Sequence, residues 1–328
     1  ETVHKMLKYI IKRILILIPV VIVISIMLFG ISKMMPGDPV RAMLPTSLKA
    51  DQMEAAYNAM YKKLGLDKSI PEQYFRWMGN LFQGEFGWSS NYNRAVKDVV
   101  AEPLRNTIIL NIFVNLCYLA LAIPIGIKCA TKRGALFDNA WQVFSMVAYS
   151  MPSFFLALTL IYFFGIKLKW LPIGGMPNST TETGATYILS WVRHLVLPVV
   201  TLTIIHLASA IRYVRNAMID ALSQDYIRTA RAKGLSEKVV IYSHAFRNAL
   251  IPVSFVVVST IFALFSGSAI TETVFAYNGI GKLMIASVTA RDTQMIITMN
   301  LFFAVVSIVS VLVGDIIYCL VDPRVKLS

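Results

Sequence analysis

The chain has 328 residues, of which 56% are hydrophobic and only 15% are charged, and its mean hydropathy is +0.63. Soluble domains carry about 25% charged residues, so this composition excludes an ordinary soluble protein. The formal net charge of +13 is compatible with nucleic-acid binding, but membrane proteins also concentrate Lys and Arg in their cytoplasmic loops.

Six stretches contain no Asp, Glu, Lys or Arg and are long enough to cross a bilayer, which takes roughly 17–25 apolar residues. Buried helices of soluble proteins are usually shorter than this. The sequence therefore predicts an all-α polytopic membrane protein whose six transmembrane helices lie within residues 14–31, 106–127, 139–166, 194–211, 249–271 and 293–314.

The first stretch also needs to be compared with a signal peptide, because Lys8, Lys12 and Arg13 precede it. Its 18 uncharged residues exceed a typical signal-peptide core, and the sequence KMMPGDP that follows has no small-residue cleavage pattern. We expect a retained transmembrane helix.

The loop at 32–104 is the longest segment outside the predicted spans, and it contains two amphipathic patterns. The first ends at Gly65, and the second begins at Pro71 and ends before Gly84. The loop is therefore expected to fold as a small helical unit, either shielding the spans or serving as a docking or gating surface. The apolar positions are Met53, Ala56, Tyr57, Met60 and Leu64 in the first pattern, and Tyr74, Phe75, Met78, Leu81 and Phe82 in the second.

Polar residues are rare within the spans. Asn106, Asn111 and Asn115 share one span, where hydrogen bonds between helices are favoured over contact with a substrate. Asp315 lies roughly 33 Å along the last helix, at the membrane boundary, where a nearby Arg is the expected partner.

The distribution of basic residues predicts the orientation. Sixteen Lys and Arg lie in residues 1–13, 128–138, 212–248 and 315–328, against five in 167–193 and 272–292. The positive-inside rule then places both termini in the cytoplasm. Topology accounts for most of the net charge, so nucleic acid is not an expected partner.

The sequence contains no catalytic or metal-binding motif. The Cys and His residues form no CxxC or HExxH pattern, so we expect no metal and no bound cofactor. There is no GxxxxGK[ST] phosphate loop, and GIGK at 279–282 lacks the upstream glycine, so the chain is not expected to hydrolyse ATP. An ion-coupled secondary transporter stays an alternative, but it would favour acidic or other ionisable residues near mid-membrane. The spans contain no carboxylate apart from Asp315 at the boundary, although His206 lies within the fourth span.

One cytoplasmic segment is organised differently from a simple basic loop. A helix is expected from Ser223 to Lys233, with an Asp225–Arg228 pair, followed by a left-handed stop at Gly234. Ser236 is expected to cap a second helix that leads into the fifth span. This helix–glycine–helix order favours a docking element over a loop that only touches lipid headgroups.

At this point the chain resembles the permeases of ABC importers, in the branch that imports peptides and nickel. The segment RTARAKG is similar to their cytoplasmic EAA loop, with Arg228 in place of its Glu. RNALIPV at 247–253 completes that segment, and the same branch shares MPGDPV at 35–40, the stretch 64–89, ETVFAYNGIGKL at 272–283 and DPR at 322–324. The resemblance runs from the first span to the C-terminus.

The resemblance implies a type I ABC importer permease fold and a division of labour among subunits. The expected partners are a second homologous permease, two cytoplasmic ATPases that bind ATP and Mg, an extracytoplasmic peptide-binding protein and the lipid bilayer. Peptides are the favoured substrate, with nickel or another small solute as the alternative. The organisation expected is residues 1–31 as N-terminus and first helix, 32–104 as extracytoplasmic loop, 105–321 as permease core with coupling loop 212–248, and 322–328 as tail.

The resemblance also assigns the ATPase contact. It implies that the EAA-type loop forms a coupling helix seated in a cleft of the ATPase, with the smaller loop at 128–139 as a second contact or a purely topogenic one. The expected coupling residues are Arg228, Thr229, Ala230, Gly234, Leu235, Ser236, Glu237, Lys238, Val239 and Tyr242.

Overall fold

The computed structural model describes residues 2–35, 38, 40, 41, 44, 49–177 and 184–321. The tail at 322–328, with its DPR sequence, lies outside the described residues, as do residues 36, 37 and 39 of the MPGDPV stretch. Almost all of the described chain is helical, and one two-residue antiparallel hairpin pairs Trp88 with Ala95.

The elements of the N-terminal half begin with a long helix and a small unit built from two helices and the hairpin. Two long apolar segments follow. In chain order these are α1 (Thr2–Met34), α2 (Ala50–Lys63), α3 (Ile70–Phe82), β1 (Trp88–Ser89), β2 (Arg94–Ala95), α4 (Val96–Thr131), α5 (Leu136–Ser150) and α6 (Ser153–Leu160), which continues as a π-helix over Ile161–Lys167.

The C-terminal half contains the longest helix, a short helical corner and two further long helices. In chain order these are α7 (Gly184–Leu222), α8 (Asp225–Ala232), α9 (Glu237–Val239), a π-helix (Val240–Phe246), α10 (Arg247–Ala263), α11 (Ala269–Val274), α12 (Ile280–Thr289) and α13 (Thr293–Val321). The segments from α9 to α10 run on without a break.

Among the described residues, four helices are long and apolar enough to span a membrane: α1, α4, α7 and α13. The α5–α6 pair adds a fifth if it counts as one span. The chain is thus a multi-pass helical membrane protein, with four or five spans by this measure where the sequence predicts six.

The span predicted at 139–166 is not a single straight helix. The chain bends by 102° between Ser150 and Ser153, where the two halves of the span meet. Met151 is extended, with φ −80° and ψ 123°, because the ring of Pro152 disfavours helical geometry in the residue before it. Pro152 also lacks the N–H that a continuing helix would need.

The span predicted at 249–271 also differs. Its helix ends at Ala263, and residues 264–268 are not helical before α11 begins. The Asn111 amide nitrogen lies 3.0–3.1 Å from the carbonyl oxygens of Ala263, Leu264 and Ser266, so it satisfies acceptors that the end of α10 exposes.

The predicted interhelix hydrogen bonds are confirmed for Asn111 and Asn115, which reach α10, whereas Asn106 bonds to the loop between α11 and α12. Besides Asn111, Asn115 donates to the Thr260 carbonyl at 3.0 Å and Asn106 to the Asn278 carbonyl at 2.9 Å. The partner of Asp315 is also an Arg, as expected, because Arg13 lies 3.0 Å from it and joins α1 to α13.

The centre of the fold is the packing of α4 against α7. At Gly126 a Cβ atom would lie 2.7 Å from the Val214 side chain, so the absence of a side chain lets the two helices approach closely. One buried cluster extends from this contact toward α11, with Leu110, Leu207 and Phe275. A second buried cluster lies at the C-terminal end of α4, where Ile127 packs with Val214 and Met218 of α7.

Helices α2 and α3 are present where the loop pattern predicts them, and they end at Gly65 and Gly84, both with positive φ. The apolar side predicted for α3 is only partly covered, because Phe75 and Phe82 are exposed. The hairpin that follows α3 is hydrogen-bonded to Asp292, the residue before α13. The buried Asp292 carboxylate accepts hydrogen bonds from the Ser89 hydroxyl and the Asn91 N–H.

Candidate functional site

The helix–glycine–helix segment forms a tight corner between α8 and α9. Gly234 has φ +77°, which confirms the left-handed stop, and its N–H donates to the Arg231 carbonyl at 2.9 Å. No heavy atom lies within 4 Å of the position that a Cβ would occupy. The glycine is therefore required by backbone conformation and not by lack of space.

Buried apolar side chains anchor this corner to the long helices. Ile227 and Val240 are fully buried on the two sides of the corner, and Ala230 is 4% exposed. They belong to one cluster with Val214 and Met218 of α7. A displacement of the corner is therefore transmitted directly to α7, because packed interiors resist local deformation.

The opposite side of the corner is open. Every residue from 231 to 239 is exposed, and Tyr242 is exposed one turn further on. We call residues 231–239 together with Tyr242 the corner ridge. Leu235, Val239 and Tyr242 present apolar surface on it, at 39%, 39% and 53% exposure.

Two ion pairs form within the segment, Arg231 with Glu237 and Arg228 with Asp225. Arg231 donates to Glu237 through Nε at 2.7 Å and Nη2 at 3.3 Å, which bridges the corner. The hydrogen bond to the Glu237 carboxylate raises the pKa of Arg231. Arg228 lies 3.5 Å from Asp225. Exposed pairs of this kind contribute less than about 1 kcal/mol, so these charges can exchange partners at little cost.

The predicted coupling residues divide into an exposed and a buried group. Thr229 is exposed, and its hydroxyl donates to the Asp225 carbonyl at 3.1 Å. Ala230 is buried in the anchoring cluster and presents no surface, and its coupling role stays a prediction. Ser236 is exposed and occupies the N-cap position of α9, but the predicted cap is wrong, because its hydroxyl makes no capping hydrogen bond.

A buried ion pair beside the corner was not found from the sequence. Arg215 donates to Asp138 through Nε at 2.6 Å and Nη2 at 2.8 Å, and the Gly134 N–H also donates to Asp138. Asp138 is fully buried and Arg215 is 12% exposed. The pair joins the first turn of α5 to α7, and Arg215 lies one helical turn before Met218 of the buried cluster.

A second missed feature lies in the motif at 272–283. The buried Glu272 carboxylate accepts hydrogen bonds from the Thr107 hydroxyl at 2.9 Å and the Lys282 N–H at 3.0 Å. A Cβ at Gly279 would overlap this carboxylate. The glycines of GIGK therefore make room for Glu272 and do not cradle a phosphate. Within the described ranges no group of three His, Cys, Asp or Glu residues is placed to hold a metal.

These features define a class: a helical membrane protein with a solvent-exposed corner rigidly packed on its spanning helices. The chain belongs to the family of binding-protein-dependent transport system inner membrane components, which it matches over residues 122–327. Residues 6–110 match the N-terminal region of the same group of transport-system membrane components.

Relatives that match nearly the whole chain include two named peptide permeases. The oligopeptide transport system permease protein AppB of Bacillus subtilis is 36% identical, over 98% of this chain and 100% of its own length. The di/tripeptide transport system permease protein DppB of Pseudomonas aeruginosa is also 36% identical, over 98% of this chain and 99% of its own. The chain is thus a transport permease subunit by family and not an enzyme.

Proposed function

We propose that this chain is the transmembrane permease subunit of an ATP-driven, binding-protein-dependent importer and forms half of a translocation path for peptides. The observation that carries the proposal is the corner ridge, exposed on one side and anchored in the α4–α7 core on the other. Such an arrangement suits a permease that receives work from a separate ATPase, and the family membership supports it.

The proposed mechanism is a rigid-body switch. Two cytoplasmic ATPases bind ATP and Mg, close on one another and push the corner ridge of each permease. Because Ile227, Ala230 and Val240 are packed against α7, the push rotates the spans between inward and outward access. A second homologous permease supplies the other half of the path, and an extracytoplasmic binding protein delivers the substrate.

The orientation follows from the charges. With six spans, counting the α5–α6 pair and the continuous helix from Glu237 to Ala263 as one span each, the basic segments at 128–138 and 212–248 lie in the cytoplasm with both termini. The corner ridge then faces the compartment that contains ATP. The loop at 32–104 lies outside, where a binding protein docks.

Peptide is the proposed substrate over nickel. Both relatives described above are named for oligopeptides or di/tripeptides. A metal importer would favour clustered His or Cys residues along the path, and the described residues contain no such cluster.

The test uses an exposed side chain of the corner ridge and a matched control. Leu235→Asp places a charge on the ridge, and Tyr92→Asp places the same charge on the exposed hairpin turn far along the chain. Each variant is co-expressed with the transport subunits, purified in mild detergent and reconstituted for peptide uptake. We expect Leu235→Asp to lose most of the copurifying ATPase and most of the uptake, and Tyr92→Asp to keep its ATPase.

Two results would contradict the proposal. If Leu235→Asp retains the ATPase and full ATP-dependent uptake, the corner ridge is not the docking element. If the unmodified chain purifies without any ATPase and transports peptide under an ion gradient alone, the chain is a secondary transporter.

A further inference from the structure

Helix α3 has a wider apolar side than α1 covers. At 100° per residue, the side chains of α3 fall into three groups around the helix. One apolar group faces α1, a second apolar group lies next to it, and the polar residues lie opposite the group that faces α1. The three groups are Tyr74, Trp77 and Leu81 toward α1, Pro71, Phe75, Met78 and Phe82 beside them, and Glu72, Arg76 and Asn80 on the far side.

Aromatic contacts fix the position of α3 on α1. The Phe29 ring lies 5.6 Å, centroid to centroid, from the rings of both Tyr74 and Trp77. The Tyr74 hydroxyl is 2.7 Å from the Ser25 hydroxyl. Helix α3 therefore crosses α1 at the level of Phe29.

This crossing lies at the rim of the apolar part of α1. Phe29 is four residues, or about 6 Å along the axis, from Lys33, the first charged residue after the span. On the N-terminal side of Phe29, α1 exposes the apolar side chains of Val23, Ile26 and Met27 at 51–59%. This is the pattern of a helix in contact with lipid. Tyr and Trp side chains are enriched at this depth of a membrane.

The uncovered apolar residues of α3 continue the lipid-facing surface of α1. Phe75 is 71% exposed and Phe82 is 85% exposed. At 100° per residue they lie about 60° and 80° around the helix from Glu72, between Glu72 and the side that faces α1. Arg76 is turned toward α2, where its guanidinium donates to the Lys63 carbonyl at 3.3 Å. Apolar and charged residues thus separate cleanly around the helix, as they do in helices that lie in a membrane surface.

We propose that α3 is an interfacial anchor that inserts Phe75 and Phe82 into the lipid leaflet at the C-terminal end of α1. The occupant of this face is the boundary between headgroups and acyl chains, continuous with the lipid around α1. The anchor holds the base of the 32–104 loop at a fixed depth. The inference depends only on the contact between α1 and α3, so it stands whether or not the transport proposal holds.

The test measures depth at matched positions. In a chain whose native Cys117, Cys129 and Cys319 are replaced by Ala, a nitroxide probe is attached to Phe75→Cys, Phe82→Cys or the control Glu72→Cys. The chain, with the subunits that copurify with it, is reconstituted in liposomes of zwitterionic and anionic phospholipid. Electron paramagnetic resonance then compares collisions of the probe with oxygen, which partitions into lipid, and with a water-soluble nickel chelate.

We expect the ratio of oxygen to nickel-chelate collisions to be several-fold higher at positions 75 and 82 than at position 72. Equal ratios at all three positions would place the apolar face in water and overturn the proposal. Suppressed collisions with both reagents at 75 and 82 would also overturn it, because the face would then be covered by protein. Since all three side chains are exposed, the substitutions leave the packing intact.

Discussion

Gly234 tests the corner at the scale of a single residue. Its φ of +77° lies in the left-handed region, where a Cβ costs about 1–2 kcal/mol, and no neighbouring atom would obstruct a side chain. We expect Gly234→Val to shift the balance between the native corner and a rearranged one by roughly tenfold. The measurement is ATP-dependent peptide uptake per unit of membrane-inserted protein, which should fall.

Gly234→Asn is the matched control, because Asn tolerates left-handed geometry far better than a β-branched residue does. It should preserve most of the uptake at the same position and exposure. Uptake by Gly234→Val equal to that of the unmodified protein would sink the argument from backbone conformation.

Single residues differ in how far their roles can be predicted from the sequence. Gly234 could be placed from local order alone, because a glycine after a helical pattern is a local signal. The Asp138–Arg215 pair could not, since its partners are 77 positions apart and nothing in either neighbourhood marks them as a pair. Glu272 is similar, because its burial depends on Thr107 in a different helix.

Asn111 controls the end of an entire helix. Its amide lies within hydrogen-bonding distance of three carbonyl groups where α10 stops. These groups belong to stretches predicted as membrane spans, where backbone carbonyls depend on partners from the protein. Asn111→Leu keeps a similar volume and removes these hydrogen bonds. We expect a loss of about 1–3 kcal/mol of stability, measured as a lower apparent melting temperature of the purified protein.

Asn300→Leu is the comparison for this effect. The Asn300 amide donates at 2.8 Å to the Ile296 carbonyl of its own helix, so its loss leaves no other helix without a partner. A melting temperature lowered equally by the two substitutions would mean that the contact between α4 and α10 adds no specific stability.

Single elements were predictable to different extents. The charge-free stretches located α4, α7 and α13 because a membrane span must be continuously apolar. The same criterion missed the bend at Pro152 and the break after Ala263, since both lie inside apolar sequence. Only the missing N–H of the proline and the polar contact from another helix set those ends.

At the scale of the whole molecule, the bent pair decides the topology. If α5 and α6 form one span, Lys132 and Lys167 lie on opposite sides of the membrane. If they form a re-entrant loop, both lie on the same side, and every later segment is reversed. Two arms of about 22 Å, bent by 102° from a straight line, extend roughly 28 Å from end to end. This is close to the thickness of the hydrocarbon layer, so length permits a full crossing.

Labelling of single cysteines distinguishes the two arrangements. In the chain without native cysteines, Lys132→Cys and Lys167→Cys are treated with a membrane-impermeant maleimide, applied outside intact cells or after permeabilisation; both side chains are exposed. We expect Lys167→Cys to react from outside and Lys132→Cys only after permeabilisation. Lys238→Cys on the corner ridge should behave as Lys132→Cys does.

The charge distribution is the reason for this expectation. A re-entrant pair would move the seven basic residues of 212–248, and the corner ridge with them, to the outer face, against the positive-inside rule. It would also separate the ridge from ATP, so that no cytoplasmic ATPase could reach it. Reaction of Lys132→Cys and Lys167→Cys from the same side would therefore remove the topology and the docking proposal together, whereas Leu235→Asp tests the docking proposal alone.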